Sequence, residues 1–286
     1  MLDGETATDV PLVRELIRTQ FPRWQHLPVR EVAHGGTSNA MYRLGDDLAV
    51  RLPRREWASD GAAKEALIVP LVAPHLPVAV PEPLELGSPA ADYPYQWSVV
   101  RWIDGETGPA GEDTAFQLAD VVRALHEIDA GERPWTAGRG RPDGSADDEA
   151  VRRCIAQIGG SPLLTAVWEE SLAAPRWDGP GRWLHADLHE GNLLFRGGEL
   201  TGVIDWGSAG VGDPAANLMT AWLYLDERGR KQFQRELGFD DATWVRAQGW
   251  ALHLAVLALP YYRDTNKFLA GIASRTLDQL CPGWDD

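Results

Sequence analysis

The spacing of apolar and polar positions divides the chain into a strand-rich first part and a largely helical remainder. Residues 9–20 put Val13, Leu16 and Ile17 on one helical face, with Asp9 as N-cap and Pro11 in the first turn. Val29–Ala33, Ala40–Leu44 and Leu48–Leu52 read as short strands. Gly45-Asp46-Asp47 joins the last two as a hairpin, and the small residues His34–Asn39 form a turn. Residues 61–72 predict a helix carrying Glu65, ended by Pro74 and Pro77. Leu84–Leu86 and Gln96–Ile103 predict two further strands. Beyond Asp104 the pattern predicts helices at 112–129, 147–173, 214–236, 241–259 and 265–280, while residues 131–146, rich in Gly, Arg and Pro, read as a loop. The expected class is α+β, with an N-terminal antiparallel sheet lobe over 1–103 and a mainly helical C-terminal lobe over 104–286.

The helical part is interrupted once, and the interruption carries the chemistry. His185-Ala186-Asp187-Leu188-His189-Glu190-Gly191-Asn192 is followed by the apolar run Leu193-Leu194-Phe195, by Gly197-Gly198, and by a second apolar run ending at Asp205. This predicts a loop, a strand, a tight turn and a second strand, with Asn192 and Asp205 at the same end of the hairpin. Such a constellation suits phosphoryl transfer: Asp187 can orient an attacking hydroxyl, and Asn192 and Asp205 offer the hard oxygens that Mg²⁺ prefers.

Composition narrows the partners. A net charge of −15 argues against nucleic acid or an anionic membrane surface. No apolar run approaches the length of a membrane span, and the acidic start Met1-Leu2-Asp3-Gly4-Glu5 does not read as a signal peptide. Two cysteines, Cys154 and Cys281, are too few for a disulfide framework and read as reduced thiols in a cytoplasmic protein. Residues 104–150 hold 12 acidic side chains against 4 basic ones, which suits either a solvated face or attraction of a cationic substrate. The sequence leaves the oligomeric state unknown.

Several collinear segments resemble the aminoglycoside phosphotransferase family, which shares the protein-kinase-like fold: AHGGTSNAMYRL, VRLPR, the Leu-Pro-Val-x-Val-Pro run at 76–81, RWIDGE, ALHEID, HADLHEGNLLF, GVIDW and GDP. The resemblance spans Gly35 to Asn217 and implies two lobes. It implies Asp187 as the catalytic residue, Asn192 and Asp205 as ligands of Mg²⁺, and His185 as a structural pin of the loop. Gly36, Thr37, Ser38 and Asn39 would line the triphosphate, and main-chain groups of Arg101 and Ile103 would bond the base of ATP or GTP. The glycine turn lacks the pattern of a phosphate-binding P-loop.

Two positions depart from the family pattern. The third strand carries Arg51 where a lysine is usual, with Glu65 fourteen residues on as its natural partner. Arginine keeps the charge but forks onto oxygens with a different reach. The V-R-x-P-R run also resembles macrolide kinases. Asn217 stands where an aspartate is common, and Asp213 is expected to cap the following helix with Pro214 at its start. His189 fits a loop-bracing role or a contact to substrate. Trp222, Trp244 and Trp250 lie in the helices where this family builds its acceptor pocket, although core packing is the default for each.

The implied activity is O-phosphorylation of a small-molecule hydroxyl, on an antibiotic such as an aminoglycoside, a macrolide or a related natural product. Two other readings fit the same residues. One is a metabolic kinase of the homoserine, choline or sugar type, and the other a catalytically silent nucleotide-binding regulator. A protein kinase fits less well, because the chain after Asp205 runs into Gly212-Asp213-Pro214 without a long activation segment.

Overall fold

A computed structural model describes residues 5–32, 38–90, 93–136, 138–141 and 144–285. The chain divides into two compact units. The first comprises Met1–Pro74, Ala79–Asp104 and Val203–Gly207, and the second His75–Val78, Gly105–Gly202 and Ser208–Asp286.

The first unit is an antiparallel sheet with two helices. Its strands are β1 (Val29–Glu31), β2 (Asn39–Leu44), β3 (Leu48–Pro53), β4 (Pro83–Gly87) and β5 (Trp97–Arg101), in the order β1-β2-β3-β5-β4. Helix α1 (Val10–Gln20) starts as its sequence predicts, with the Asp9 side chain accepting the Leu12 N–H at 2.8 Å. Its face of Val13, Leu16 and Ile17 packs with Tyr42, Leu44, Val50, Leu52, Trp97 and Val99 in one buried core. Every residue of the central strand β3 is buried. The strand period of two sends Leu48, Val50 and Leu52 into this core and Arg51 to the opposite face. Helix α2 (Gly61–Val72) brings the buried Glu65 to Arg51 there.

The second unit is mainly helical. It holds α3 (Thr114–Glu127), α4 (Asp148–Gln157), α5 (Pro162–Ala173), α6 (Ala215–Leu218), α7 (Thr220–Leu223), α8 (Glu227–Leu237), α9 (Asp241–Tyr262) and α10 (Lys267–Leu280). Val151, Ile155, Leu164, Trp168, Leu252, Val256 and Leu277 form a core shared by α4, α5, α9 and α10. Two short sheets interrupt the helices. The expected hairpin is present as β7 (Leu193–Arg196) and β8 (Glu199–Val203), turned by Gly197 and Gly198 at φ 61° and 88°. A second pair, β6 (Arg182–Leu184) with β9 (Gly210–Gly212), flanks it in sequence and was not expected.

Two long predicted helices are broken. The 147–173 helix is split into α4 and α5 by Gly159 and Gly160, at φ 120° and 73°, and by Pro162, whose ring suits only a new helix start. The 214–236 helix falls into α6, α7 and α8. The last break comes where the Asp226 side chain accepts the Gly229 N–H at 2.7 Å and starts a helix of its own. The 131–146 segment is not a free loop: Thr136 N–H donates to the Val211 carbonyl at 2.9 Å, and Asp213 N–H donates to the Gly140 carbonyl at 2.7 Å.

Candidate active site

In the second unit, β6 delivers the chain into His185, and the turn that follows is held from behind. Asn217 Oδ1 accepts the main-chain N–H groups of His185 and Ala186 at 3.0 and 3.1 Å. Ala186 sits at φ 61°, a left-handed conformation that a residue with a Cβ adopts only when its surroundings impose it. Asn217 lies in α6, whose start is fixed by Asp213. The Asp213 carboxylate accepts Ala215 N–H at 3.0 Å and takes a fork from Arg246, with Nε at 2.7 Å and Nη2 at 3.2 Å. Pro214 rather than Asp213 takes the cap position of α6, while Asp213 holds the N–H of its first residue and pairs with a half-buried arginine 33 residues on.

The other end of the Asn217 amide reaches His126 Nε2 at 3.2 Å. Two main-chain donors already fix the Asn217 oxygen, so Nδ2 faces the imidazole, and His126 Nε2 must accept. Burial, with Arg182 nearby, pushes the His126 pKa down to about 3. The unfolded chain, with histidine near its ordinary value of about 6.5, then binds a proton that the folded state refuses. Stability is therefore fully present above about pH 6.5 and falls as the pH drops towards 3, by about 1.4 kcal/mol per pH unit from this group. Burial pushes the His253 pKa down to about 3 as well and adds a like slope, so urea unfolding at pH 6, 5 and 4 should show both contributions, and His126→Gln should remove about half of the slope. An equal slope in the variant would count against the assignment.

Asp187 follows Ala186. Its Oδ1 accepts from Arg139 Nη1 at 2.9 Å, and the same nitrogen donates to the Ala186 carbonyl at 2.9 Å. Burial works to raise the Asp187 pKa, but the charges of Arg139, His189 and His185 outweigh it and hold the carboxyl below its ordinary range. Asn192 Nδ2 donates to the Asp187 carbonyl at 2.9 Å and lies 3.3 Å from Asp187 Oδ2. That contact fixes the amide so that the oxygen is its free end. His189 braces the loop, with Nδ1 accepting Gly191 N–H at 3.1 Å and Nε2 lying 3.7 Å from Asp187 Oδ2.

The first unit holds the remaining acidic group. Asp205 follows β8 at φ 63°; it and Ala186 are the two non-glycine residues with positive φ among those described. Arg51 forms the expected ion pair with Glu65 and reaches Asp205 Oδ1 with Nη2 at 3.4 Å. Burial disfavours the guanidinium charge, but the two carboxylates more than offset this and raise the Arg51 pKa. Burial raises the Glu65 pKa, with Arg51 opposing the shift and Asp205 adding to it. The Asp205 side chain is 44% exposed, whereas that of Glu65 is 4% exposed. Among the described residues no group of three or more His, Cys, Asp or Glu could hold a metal. Magnesium does not require one, because phosphates and water supply most of its ligands. The Asp205 carboxylate in the first unit and the Asn192 carboxamide oxygen in the second are each of the hard-donor type that Mg²⁺ prefers.

The nucleotide contacts expected from the sequence are located less completely. Gly36 and Thr37 lie outside the described residues. Ser38 precedes β2, its carbonyl accepting Arg54 N–H at 2.9 Å, and Asn39 opens the strand paired with Pro53. The amide of Arg101 cannot serve a base edge, because it donates to the Glu82 carbonyl at 2.9 Å as strand pairing continues to the end of β5. Ile103, two residues on, makes no main-chain hydrogen bond among the described residues.

A family model described as "Phosphotransferase enzyme family" matches residues 29–250. The chain belongs to this family. A protein of Bacillus subtilis (strain 168), "Uncharacterized protein YcbJ", is 26% identical over 219 residues, covering 70% of each chain. The solved GDP complex of wild-type aminoglycoside 2'-phosphotransferase-IIIa superposes with a TM-score of 0.74 at 18% identity, covering 96% of this chain and 98% of that one. The apoenzyme of macrolide 2'-phosphotransferase MphH from Brachybacterium faecium superposes with a TM-score of 0.61 at 22% identity, covering 96% and 99%. These likenesses fix a kinase-like α+β fold for this phosphotransferase.

Sequence reasoning missed Arg139, Arg246 and the link from His126 to Asn217. The glycines around Arg139 were a signal of close backbone approach, but nothing local named its partner. Trp222, Trp244 and Trp250 are buried, with the Trp222 and Trp244 rings 6.3 Å apart, so they pack the helical unit rather than wall an open pocket.

Proposed function

We propose that this phosphotransferase moves the terminal phosphoryl group of ATP or GTP to a hydroxyl of a small molecule, an antibiotic or a related natural product. Asp187 supports this reading most directly. It is a carboxylate held ionised, with one oxygen taken by Arg139 and the other turned towards Asn192. Asp187 would orient the acceptor's O–H and take its proton as the new O–P bond forms. Asn192 and Asp205 would ligate Mg²⁺, which when bound would neutralise charge on the phosphates. Ser38, Asn39, Arg51 and Ile103 would hold the nucleotide. Residues 1–103 would form the nucleotide-binding lobe and 104–286 the lobe with the catalytic loop and acceptor site. Both related solved structures named above are antibiotic phosphotransferases, and the first is a GDP complex.

One observation narrows the acceptor. In the second unit the carboxylates of and around the catalytic loop are already paired with arginines: Asp187 with Arg139, Glu190 with Arg275 at 2.7 Å, and Asp213 with Arg246. A polycationic aminoglycoside needs unpaired acidic groups. A macrolide, or a sparsely charged metabolic alcohol, does not. A nucleotide-consumption screen should therefore give turnover with macrolides or neutral polyols ahead of aminoglycosides, using ATP and GTP in turn and Asp187→Asn as the blank. Equal consumption by the blank would sink the assignment. Mg²⁺-dependent nucleotide binding with no transfer to any acceptor would favour a silent regulator.

A further inference from the structure

Arg139 stands out because neither the sequence motif nor the proposed chemistry requires it. One nitrogen of its guanidinium touches both the carbonyl of Ala186, the residue held at positive φ, and Oδ1 of Asp187. The contact joins positions 48 residues apart, and Arg139 belongs to the segment between α3 and α4. That segment is docked rather than draped. Gly140 adopts φ 83°, and a Cβ there would lie 2.8 Å from Leu184 Cδ1 and 3.0 Å from both Ala216 Cβ and the Asp213 carbonyl. Its own carbonyl accepts Asp213 N–H at 2.7 Å. The neighbour of Arg139 is therefore wedged between β6 and the start of α6, the two elements that frame the catalytic loop. Only glycine fits that cradle, and the wedge aims the side chain before it at Asp187.

We propose that Arg139 is a positioning residue for phosphoryl transfer. It locks the Asp187 carboxylate in one rotamer by occupying Oδ1, so that Oδ2 alone is offered to the acceptor hydroxyl. Through the Ala186 carbonyl it also holds the strained peptide that presents Asp187. Without it the carboxylate can rotate, and the hydroxyl meets a disordered acceptor atom instead of a fixed one. Misplacement on the scale of an ångström costs about a hundredfold in rate. The inference rests on the reading of Asp187 as the group that orients the hydroxyl, and its consequences fall on kcat because Arg139 touches no proposed nucleotide residue.

The test compares wild type, Arg139→Ala, Arg139→Lys and Gly140→Ala, using the best acceptor found in the screen and water as the acceptor of last resort. Arg139→Ala should lower kcat by about 10- to 100-fold, with the nucleotide KM within about twofold. Arg139→Lys should recover most of the loss, because an ammonium can reach the same two oxygens. Added guanidinium ion should partly rescue Arg139→Ala and leave wild type unaffected. Gly140→Ala should reproduce the kcat defect with Arg139 intact. A crystal structure of Arg139→Ala gives a readout independent of turnover: the Asp187 carboxylate should leave its wild-type rotamer. An Asp187 that stays in place, or a kcat unchanged in Arg139→Ala, overturns the proposal. A general loss of thermal stability with no rescue by guanidinium or lysine overturns it too, in favour of a purely structural role. Wild type that binds no nucleotide would instead overturn the phosphotransfer reading, and the rotamer comparison would still decide the role of Arg139.

Discussion

Asp187→Asn is expected to lower kcat by about 10²- to 10⁴-fold, the usual worth of a positioned acid or base, while leaving the nucleotide KM within about twofold. The substitution changes one atom and almost no volume, so the loop should keep its shape: Asn217 still holds His185 and Ala186, and Asn192 still donates to the carbonyl at position 187. What changes is the pattern of donors. A carboxylate offers two accepting oxygens, one for Arg139 and one for the incoming hydroxyl. A carboxamide offers one. Arg139 donates at 2.9 Å and claims that oxygen, which turns the new NH₂ group to the Oδ2 side. There it faces Asn192 Nδ2, itself a donor, and the hydrogen of the acceptor hydroxyl. The hydroxyl loses its orienting partner and the destination of its proton together. Initial rates against nucleotide and acceptor concentration separate the terms, and a variant with near-wild-type turnover would remove Asp187 from the chemistry.

Local order in the chain made much of this legible. The hairpin of β7 and β8 was readable because two apolar runs flank adjacent glycines, a pattern that serves a tight turn and little else. The α1 start was readable because Asp9 and Pro11 act within a single turn. The ion pair of Arg51 and Glu65 is the one the family resemblance implied. The broken helices show where pattern reading fails. Apolar spacing continues through Gly159-Gly160-Ser161-Pro162 almost in phase, and the backbone demand of the glycines overrides it. Contacts that depend on docking were invisible. Arg139, Arg246 and His126 reach their partners across 48, 33 and 91 residues, and no spacing rule singles one arginine out of a loop rich in them. The Ala186 carbonyl and Asp187 Oδ1 become targets of Arg139 only with Gly140 seated beside Leu184 and Ala216.

Removing the charge of Arg51 should have the largest effect on stability. Arg51→Met leaves Glu65, whose side chain is 4% exposed, beside Asp205 with no cation between them. Breaking a buried pair from one side costs about 3–5 kcal/mol, because the stranded carboxylate must either stay charged away from water or take up a proton. Arg51→Lys should cost less, on the order of 1 kcal/mol, since the charge stays but a single ammonium cannot fork across both Glu65 and Asp205. The double variant Arg51→Met/Glu65→Met should recover most of the loss, because Asp205 is 44% exposed and water can solvate it once the buried acid is gone. Equilibrium unfolding in urea of wild type, Arg51→Met, Glu65→Met and the double variant gives the coupling energy directly. A loss below about 1 kcal/mol in Arg51→Met, or additive losses in the double variant, would mean that the trio is solvated and not a buried network. The same set of proteins separates structure from ligand binding. If Arg51 also grips the nucleotide phosphates, the double variant will be folded and stable yet weak for ATP or GTP, a combination that loss of packing alone cannot produce.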